Sequence, residues 1–156
     1  MEHRVRPYIC NPGQSEVRWM GDTSTHFLAT GSLTGGEFGL VEETAKRGVS
    51  VPLHRHDGDV ESFYVLDGKL AFYLDSQPAA LAGPGTFIHI PGGAIHGFRI
   101  ESDTARYLIL TTPRHADFYR AITAPSSNVA IGGDVIKNAC LEYGITFVGS
   151  LPAASL

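Results

Sequence analysis

The sequence predicts an all-β fold, an antiparallel sandwich or barrel formed by one domain. Glycine and proline are frequent, with 18 and nine copies among 156 residues, and this density of turn formers favours many short strands over a helical bundle. Apolar, branched or aromatic runs recur at a spacing of about ten residues, as strands do in small sandwiches and barrels. A chain of this length typically buries roughly 70% of its unfolded surface, which suffices for one hydrophobic core. We therefore expect a single domain over residues 1–156.

Residues 1–47 are expected to contribute one or two strands after an extended N-terminus. Phe38, Leu40 and Val41 stand among β-compatible residues, and Gly35–Gly36 is a turn signal between the two strands. A strand segment of this kind can add to the sheet edge of a second copy. We therefore expect a homodimer.

The strongest strand signals lie in residues 48–110. The stretch SFYVLDGKLAFYLD contains two aromatic, branched runs separated by Asp67–Gly68, a pair that is typical of a hairpin turn. Three more strands are predicted in GTFIHIP, HGFRI and ARYLILTT, where proline, glycine or aspartate marks the breaks. These strands are the body of the predicted sandwich or barrel.

Residues 112–144 are expected to form two short helices. Thr112 followed by Pro113 is a helix start, because a threonine oxygen can cap free N–H groups and proline is tolerated at the first helical position. Asp134 can cap the second helix, and Gly144 can end it. Helices this short are not stable alone. We expect them to pack on the β core as a cover.

Composition excludes several classes of function. The formal net charge is −4, so the chain lacks the basic surface that nucleic-acid binding requires. Cys10 and Cys140 stand too far apart in the sequence for a CxxC pair and are too few for a disulfide framework, which favours a reducing, cytoplasmic location. No apolar run has the length that spans a bilayer, and we expect no membrane partner. Nucleophile-elbow, P-loop and dinucleotide-binding motifs are missing as well. Because these motifs are missing, we expect any catalysis by this chain to depend on a bound metal.

Three histidines and one glutamate form a pattern with the spacing of metal ligands. His54 and His56 are two apart on a predicted strand, so both imidazoles project from the same face. Glu61 begins the next strand, and His96 follows a Pro-Gly-Gly turn on a strand that enters from elsewhere. Three neutral nitrogens and one carboxylate suit Fe, Ni, Mn, Co, Cu or Zn and leave positions open for substrate and oxygen. Each element alone is commonly a solvated surface group, but spacing, glycines and strand placement agree for the whole set.

The two blocks that carry these residues, 48–68 and 85–96, resemble the two signature motifs of the cupin superfamily. Those motifs are G-x5-H-x-H-x3–4-E-x6-G and G-x5-P-x-G-x2-H-x3-N; every fixed position is met except the last, where Ile100 replaces asparagine. The resemblance implies a cupin jelly-roll β-barrel, with short C-terminal helices packed on it, in which one divalent metal is held by His54, His56, Glu61 and His96. The flanking sequences are similar to those of single-domain quercetin 2,3-dioxygenase-like cupins, and cupins are often dimers.

That resemblance implies a metal-dependent dioxygenase that opens an oxygenated aromatic ring, with a flavonol such as quercetin and O2 as substrates. Glu61 would be both a metal ligand and the base for an enolic hydroxyl. The double role needs a pKa of Glu61 raised toward neutrality, which burial favours and the metal's charge opposes. One alternative is a non-redox cyclase, isomerase or lyase acting on a polyketide-like or other natural-product intermediate. Another is a cupin that binds a small ligand without turnover.

Alternation along the strands predicts the residues of a substrate pocket. Phe63 shares the face of Glu61, and Phe98 shares the face of His96. Phe87 and His89 are further candidates, and an interior rich in phenylalanine beside a metal suits a flat, apolar or aromatic ligand. The alternatives are that these aromatics simply fill the barrel and that His89 is a packed strand histidine. His115 has no partner pattern and is expected at the surface.

Overall fold

Two antiparallel sheets, one of six strands and one of five, pack face to face in the structure, a computed structural model that describes residues 5–153. The remaining positions of the expected domain, 1–4 and 154–156, lie outside the described residues. In chain order the strands are β1 (Glu16–Met20), β2 (Thr23–Ala29), β3 (Gly39–Lys46), β4 (Ser50–His56), β5 (Glu61–Asp67), β6 (Leu70–Leu74), β7 (Ala80–Ala82), β8 (Phe87–Ile90), β9 (His96–Ile100), β10 (Thr104–Thr111) and β11 (Ile145–Gly149).

The sheet orders are those of a jelly roll. The six-stranded sheet runs β1-β2-β3-β10-β5-β8, and the five-stranded sheet runs β11-β4-β9-β6-β7. The all-β jelly-roll architecture predicted from the sequence is thus confirmed. The expected closed barrel is wrong in one respect, because the strand pairings within residues 5–153 do not join the two sheets into one ring.

Alternating side chains of both sheets meet in one core. On β3 and β10 every second residue is buried, which is the pattern of strands with one face turned inward. Phe63 on β5 meets Phe72 on β6 with ring centroids 5.0 Å apart, and it meets Phe98 on β9 at 5.4 Å. These edge-to-face contacts hold the two sheets together, since each fully buried phenylalanine contributes roughly 1.5–3 kcal/mol by burial.

The turn at Asp67–Gly68 is a crossover and not the hairpin that the sequence predicted. β5 pairs with β10 and β8, whereas β6 pairs with β9 and β7 in the other sheet. Gly68 has a φ of 80° and stands so close to the backbone of Thr104 and Ala105 that a side chain has no room there. The crossover places the apolar faces of both runs on the same core. A hairpin would have left them in one sheet.

Three helices complete the described chain: α1 (Gly31–Thr34), α2 (Pro113–Ala121) and α3 (Gly133–Tyr143). Thr112 caps α2 as predicted, since its hydroxyl accepts a hydrogen bond of 3.1 Å from the backbone N–H of His115. Gly144 ends α3 with a φ of 69°, also as predicted. The N-cap of α3 is Gly132 and not Asp134. Asp134 lies in the first turn, where its negative charge interacts favourably with the positive end of the helix dipole.

Arg114 ties both C-terminal helices to the loop between β4 and β5. Its guanidinium lies 2.8 Å from Oδ2 of Asp59 and donates hydrogen bonds to the carbonyl groups of Glu142 and Tyr143 at the end of α3. The hydroxyl of Thr112 donates to the other oxygen of Asp59 at 2.6 Å. Because Glu61 follows this loop directly, the helical cover is fixed next to the first residue of β5. No helix in residues 5–153 is long and apolar enough to cross a membrane.

The N-terminal segment is richer in structure than predicted. Within 5–47 it contains β1, β2, α1 and β3, and the turn at Gly35–Gly36 connects α1 to β3 instead of joining two strands. β11 was not predicted from the sequence at all. It pairs with β4, with Ile145 opposite His56 and Phe147 opposite His54, so it covers the edge of the strand that carries two of the predicted metal ligands.

Candidate metal centre

Strand pairing brings the four predicted ligands together. His54 and His56 project from the same face of β4, and His96 at the start of β9 lies directly opposite His54 in the antiparallel register. Glu61, the first residue of β5, approaches from the six-stranded sheet. One ligand atom from each of these four side chains lies within 4.8 Å of all the others. The four side chains are buried, with exposures between 1% and 6%.

Backbone carbonyls fix the tautomers of two histidines. Nδ1 of His54 lies 2.8 Å from the carbonyl oxygen of Pro52, and Nδ1 of His96 lies 2.9 Å from that of Ala94. A carbonyl oxygen only accepts, so Nδ1 carries a proton in both rings. In His54 the lone pair therefore lies on Nε2, whereas Nε2 of His96 lies 3.0 Å from Oε2 of Glu61 and shares a hydrogen bond with it. A carbonyl partner on the remote ring nitrogen is the usual support of a metal-binding histidine.

His56 is a buried imidazole without hydrogen bonds. Neither Nδ1 nor Nε2 has a partner among the described residues, and the side chain is 2% exposed. Leaving a buried polar atom unpaired costs about 1–3 kcal/mol. A metal ion that accepts the Nε2 lone pair removes part of this cost. The unpaired nitrogen therefore fits a cation at the centre of the cluster.

Burial keeps the imidazoles of His54 and His56 neutral, the form that binds metals. His96 differs, because its hydrogen bond to Glu61 outweighs burial and raises its pKa. Burial lowers the pKa of His54 to about 4, and the neighbouring His96 lowers it further in the same direction. Burial also lowers the pKa of His56 to about 3. Both rings are uncharged at neutral pH. A buried set of three histidines and one glutamate is compatible with a divalent metal.

Glu61 is the only carboxylate of the cluster, and its two oxygens have different neighbours. Oε2 lies 3.0 Å from Nε2 of His96 and 3.8 Å from Nε2 of His56. Oε1 accepts a hydrogen bond from the Tyr119 hydroxyl and lies 3.4 Å from Nε2 of His115. Oε2 therefore faces His56 and His96, while Oε1 contacts two side chains of α2.

Glu61 is ionised. Burial alone would raise the pKa of its carboxyl, but hydrogen bonds from His115 and His96 outweigh burial and hold that pKa well below the ordinary value. The sequence left open whether burial raises the pKa of Glu61, and the two donors, which the sequence did not reveal, lower it instead. An ionised carboxylate suits a metal ligand, and it can accept a proton without first losing one.

His115 and Tyr119 are site residues that the sequence analysis missed. His115 was expected at the surface, but its side chain is 2% exposed and stacks on His56 with ring centroids 4.2 Å apart. Burial raises the pKa of Tyr119 well above its usual value, so the hydroxyl keeps its proton as a donor. The two residues are four apart on α2, a spacing that places them on one helix face. This four-residue spacing is the sequence feature that could have indicated a shared position for His115 and Tyr119.

The cluster lines a largely apolar cavity of about 260 Å³. His54, His56 and Glu61 stand in its wall together with residues of both sheets, α2 and α3. The apolar part of the lining includes Met20, Val49, Val51, Phe98, Phe118, Ile122, Ile136, Ile145 and Phe147. The arrangement gives a small ligand access to the side chains that could hold a metal.

Only one of the four predicted pocket residues lines this cavity. Phe98 does, whereas Phe63 is fully buried in the core between the sheets, as in the alternative that aromatics fill the interior. The prediction that Phe87 and His89 line the substrate pocket is wrong. They occupy the outward positions of β8, where Phe87 is 62% exposed and His89 bonds to the Ser62 hydroxyl at 2.9 Å. Ile88 and Ile90 take the inward positions of that strand.

A second buried acid, Glu43, faces the same cavity and was not found from the sequence. Oε1 accepts a hydrogen bond of 2.9 Å from the Thr25 hydroxyl, and Oε2 accepts one of 2.9 Å from the Tyr107 hydroxyl. Burial raises the pKa of Glu43 to about 7, although both hydrogen bonds oppose that rise. Of the two neighbouring glutamates on β3, alternation turns Glu43 inward and Glu42 outward.

Comparison with known proteins relates the chain to cupins. Residues 40–111 match the family model described as Cupin domain. A curated quercetin 2,3-dioxygenase from Bacillus subtilis (strain 168) is 28% identical over 120 residues. The alignment covers 76% of this chain and 35% of the Bacillus protein, so this chain spans about a third of that relative's length.

Two solved structures share the fold. The polyketide cyclase RemF from Streptomyces resistomycificus is 27% identical, with a TM-score of 0.57 over 86% of this chain and 92% of that one. KdgF from Halomonas sp. is 17% identical, with a TM-score of 0.63 over 72% of this chain and 98% of that one. The second similarity concerns the fold alone.

Proposed function

Because residues 40–111 match the Cupin domain model, we propose that the chain is a metal-dependent enzyme acting on a flat, oxygen-bearing aromatic compound. One observation carries the proposal: three of the four candidate ligands line an apolar cavity of about 260 Å³. Largely apolar cavities with a few convergent polar groups are typical of sites for small apolar ligands. The metal is one divalent ion of the group Ni, Fe, Mn, Co, Cu and Zn.

The reaction proposed first is dioxygenation that opens an oxygenated ring of a flavonol-like substrate. The 28% identity to a quercetin 2,3-dioxygenase over 120 residues supports this choice. The bound metal would supply Lewis acidity toward a substrate oxygen and, when redox-active, a route to O2.

The protein's own groups would bind the substrate and move its proton. Glu61 is ionised and buried, so Oε2 can accept a hydrogen bond from a substrate hydroxyl. Because the pKa of Glu61 is lowered, transfer of that proton to Oε2 would require a hydroxyl made more acidic by the Lewis acidity of the metal. Tyr119 and His115 hold Oε1 in place during the transfer. Phe98 and Val51 exclude water from the apolar body of the substrate.

Incubation with a flavonol tests this reaction. Protein loaded separately with Ni, Co, Mn or Fe is mixed with the flavonol in air, while visible absorbance and O2 are followed together. We expect loss of the absorbance with consumption of O2, and the Glu61→Gln variant is expected to lose turnover. Full retention of the flavonol with every metal would contradict dioxygenation.

A second candidate is cyclisation of a polyketide-like intermediate without oxygen. The similarity to the polyketide cyclase RemF covers 86% of this chain and 92% of that one, a larger share of the relative than in the dioxygenase alignment. The metal would then act only as a Lewis acid, and Glu61 would move the proton. Turnover of a polyketide-like substrate in the absence of O2 favours the cyclase and excludes the dioxygenase for that reaction.

A further inference from the structure

Glu43 stands at the centre of a row of three polar side chains on neighbouring strands. Thr25 on β2 and Tyr107 on β10 lie directly opposite Glu43 in the two antiparallel registers. Both hydroxyls donate to its carboxyl group, one to each oxygen. Thr25 and Tyr107 are each 1% exposed, so the row is fixed on its inner face by packing as well as by hydrogen bonds.

We propose that Glu43 is a substrate-binding residue, which recognises a second oxygen substituent of the aromatic substrate by a hydrogen bond within the cavity. This inference rests on the proposed function, because it specifies the substrate class of the same site. Glu43 belongs to the six-stranded sheet, whereas the three histidines of the metal centre belong to the five-stranded sheet. A ligand between them would carry one oxygen toward the metal centre and another toward Glu43.

The carboxyl group of Glu43 has bonding capacity left for a ligand. Each oxygen accepts one hydrogen bond from the protein, and a carboxylate oxygen can accept two. When protonated, the group can also donate to a carbonyl or ether oxygen. With a pKa of about 7, both forms are populated at neutral pH. Glu43 can therefore pair with a phenolic hydroxyl or with a carbonyl group.

The electrostatic surroundings of Glu43 do not account for a buried acid as a purely structural element. No lysine or arginine within residues 5–153 forms an ion pair with it. Glu61 raises the pKa of Glu43 and His115 lowers it, while Tyr107 and Thr25 contribute hydroxyl donors. An acid kept in an apolar cavity without a cation costs stability. Such groups cluster at functional sites.

The test compares two ligands that differ at one remote position. The probes are the unsubstituted flavonol, whose single hydroxyl lies beside the carbonyl group, and flavonols with one additional hydroxyl on a distant ring. Affinities for metal-loaded wild-type protein, Glu43→Leu, Glu43→Gln and the control Glu42→Gln are measured without O2. Glu42 lies on the same strand but on the outer face, paired with Arg106 at 3.3 Å, so its substitution leaves the cavity unchanged.

We expect wild type and Glu42→Gln to bind at least one hydroxylated probe about tenfold more tightly than the unsubstituted flavonol, because a buried hydrogen bond to an ionised group is stronger than one between neutral groups. In Glu43→Leu the affinity for the hydroxylated probe should become about equal to that for the unsubstituted flavonol, and the affinity for the unsubstituted flavonol should be retained. Glu43→Gln should restore part of the preference for the hydroxylated probe. A wild-type ratio in Glu43→Leu, an equal loss for both probes, or equal affinities in wild type would overturn the inference.

Two further measurements distinguish a failure of this inference from a failure of the proposed reaction. A structure of wild-type protein with the preferred probe should place the remote oxygen within about 3 Å of the Glu43 carboxyl, which decides the matter even if Glu43→Leu does not fold. Turnover in air is measured in parallel. Binding with the expected ratio but no ring opening contradicts the dioxygenase and leaves the role of Glu43 standing. Binding of neither probe by wild type overturns the substrate class and this inference together.

Discussion

The hydroxyl of Tyr119 donates a hydrogen bond to Oε1 of Glu61, so a helix outside both sheets positions the only carboxylate of the candidate metal centre. This hydrogen bond also fixes the orientation of the carboxylate, with Oε2 facing His96 and His56. Arg114 and Thr112 at the start of the same helix bind Asp59 in the loop that precedes Glu61. The helical cover thus acts on the orientation of Glu61 from two directions.

Loss of the Tyr119 hydroxyl is expected to weaken the metal centre. Groups that hydrogen-bond a metal ligand typically contribute 10–100-fold in metal affinity or activity, so Tyr119→Phe should lower metal affinity by about that factor. Competition with a chromophoric chelator measures it. Tyr64→Phe is the control, because Tyr64 is exposed on the outer face of β5. Equal affinities for both variants would show that the Tyr119 hydroxyl does not support Glu61.

Replacement of His56 by alanine is expected to remove most of the bound metal. The ring nitrogens of His56 have no hydrogen-bond partner within the described residues, and its loss takes away one of four candidate ligands. Elemental analysis of variants purified without chelators measures the content. His89→Ala should retain the wild-type content, since His89 lies on the outer side of β8 and bonds to Ser62. A variant without His56 that keeps a full complement of metal would contradict the assigned centre.

The core position of Phe63 predicts a large effect on stability. Its side chain is fully buried and contacts Phe72 and Phe98 in edge-to-face geometry. Phe63→Ala should lower the free energy of unfolding by roughly 3–5 kcal/mol, measured by urea titration. Phe87→Ala on the exposed outer face should change it by no more than about 0.5 kcal/mol. Similar values for the two variants would mean that Phe63 is not a core residue.

Glu43 is expected to make stability depend on pH. Its pKa rises from 4.5 to about 7 in the folded protein, so the folded state holds a proton that the unfolded state loses between these values. The contribution is fully present below pH 4.5 and is lost as the pH rises through about 7, a change of about 3 kcal/mol. Relative to Glu43→Gln, the wild-type free energy of unfolding should fall over that range. Parallel curves for the two proteins would contradict a buried, protonated Glu43.

The sequence predicts the convergence of the four candidate ligands, because their geometry is largely local. His54 and His56 need only the two-residue period of a strand, and the glycines and proline around Glu61 and His96 mark where the neighbouring strands begin. Phe63 and Phe98 likewise face inward, as alternation requires, although only Phe98 reaches the cavity. Which inward residue lines a cavity depends on what packs above it.

The residues that escaped prediction are joined by contacts between distant parts of the chain. Glu43 bonds to Tyr107, 64 positions away, and Tyr119 bonds to Glu61, 58 positions away. Alternation alone does not decide whether Phe87 or Ile88 faces inward on β8, and the structure turns Ile88 inward and Phe87 outward. The turn at Asp67–Gly68 carries a local hairpin signal, but the sheet that each strand joins is decided by long-range pairing. The homodimer expected from the N-terminal strands stays a prediction.

The metal centre itself can be located by anomalous scattering from a crystal of metal-loaded protein. We expect one ion about 2.0–2.2 Å from a nitrogen of each of His54, His56 and His96, and at a similar distance from Oε2 of Glu61. An ion bound elsewhere, or a cluster that takes up none of Ni, Fe, Mn, Co, Cu and Zn at saturating concentration, would contradict the metal centre and with it the proposed activity.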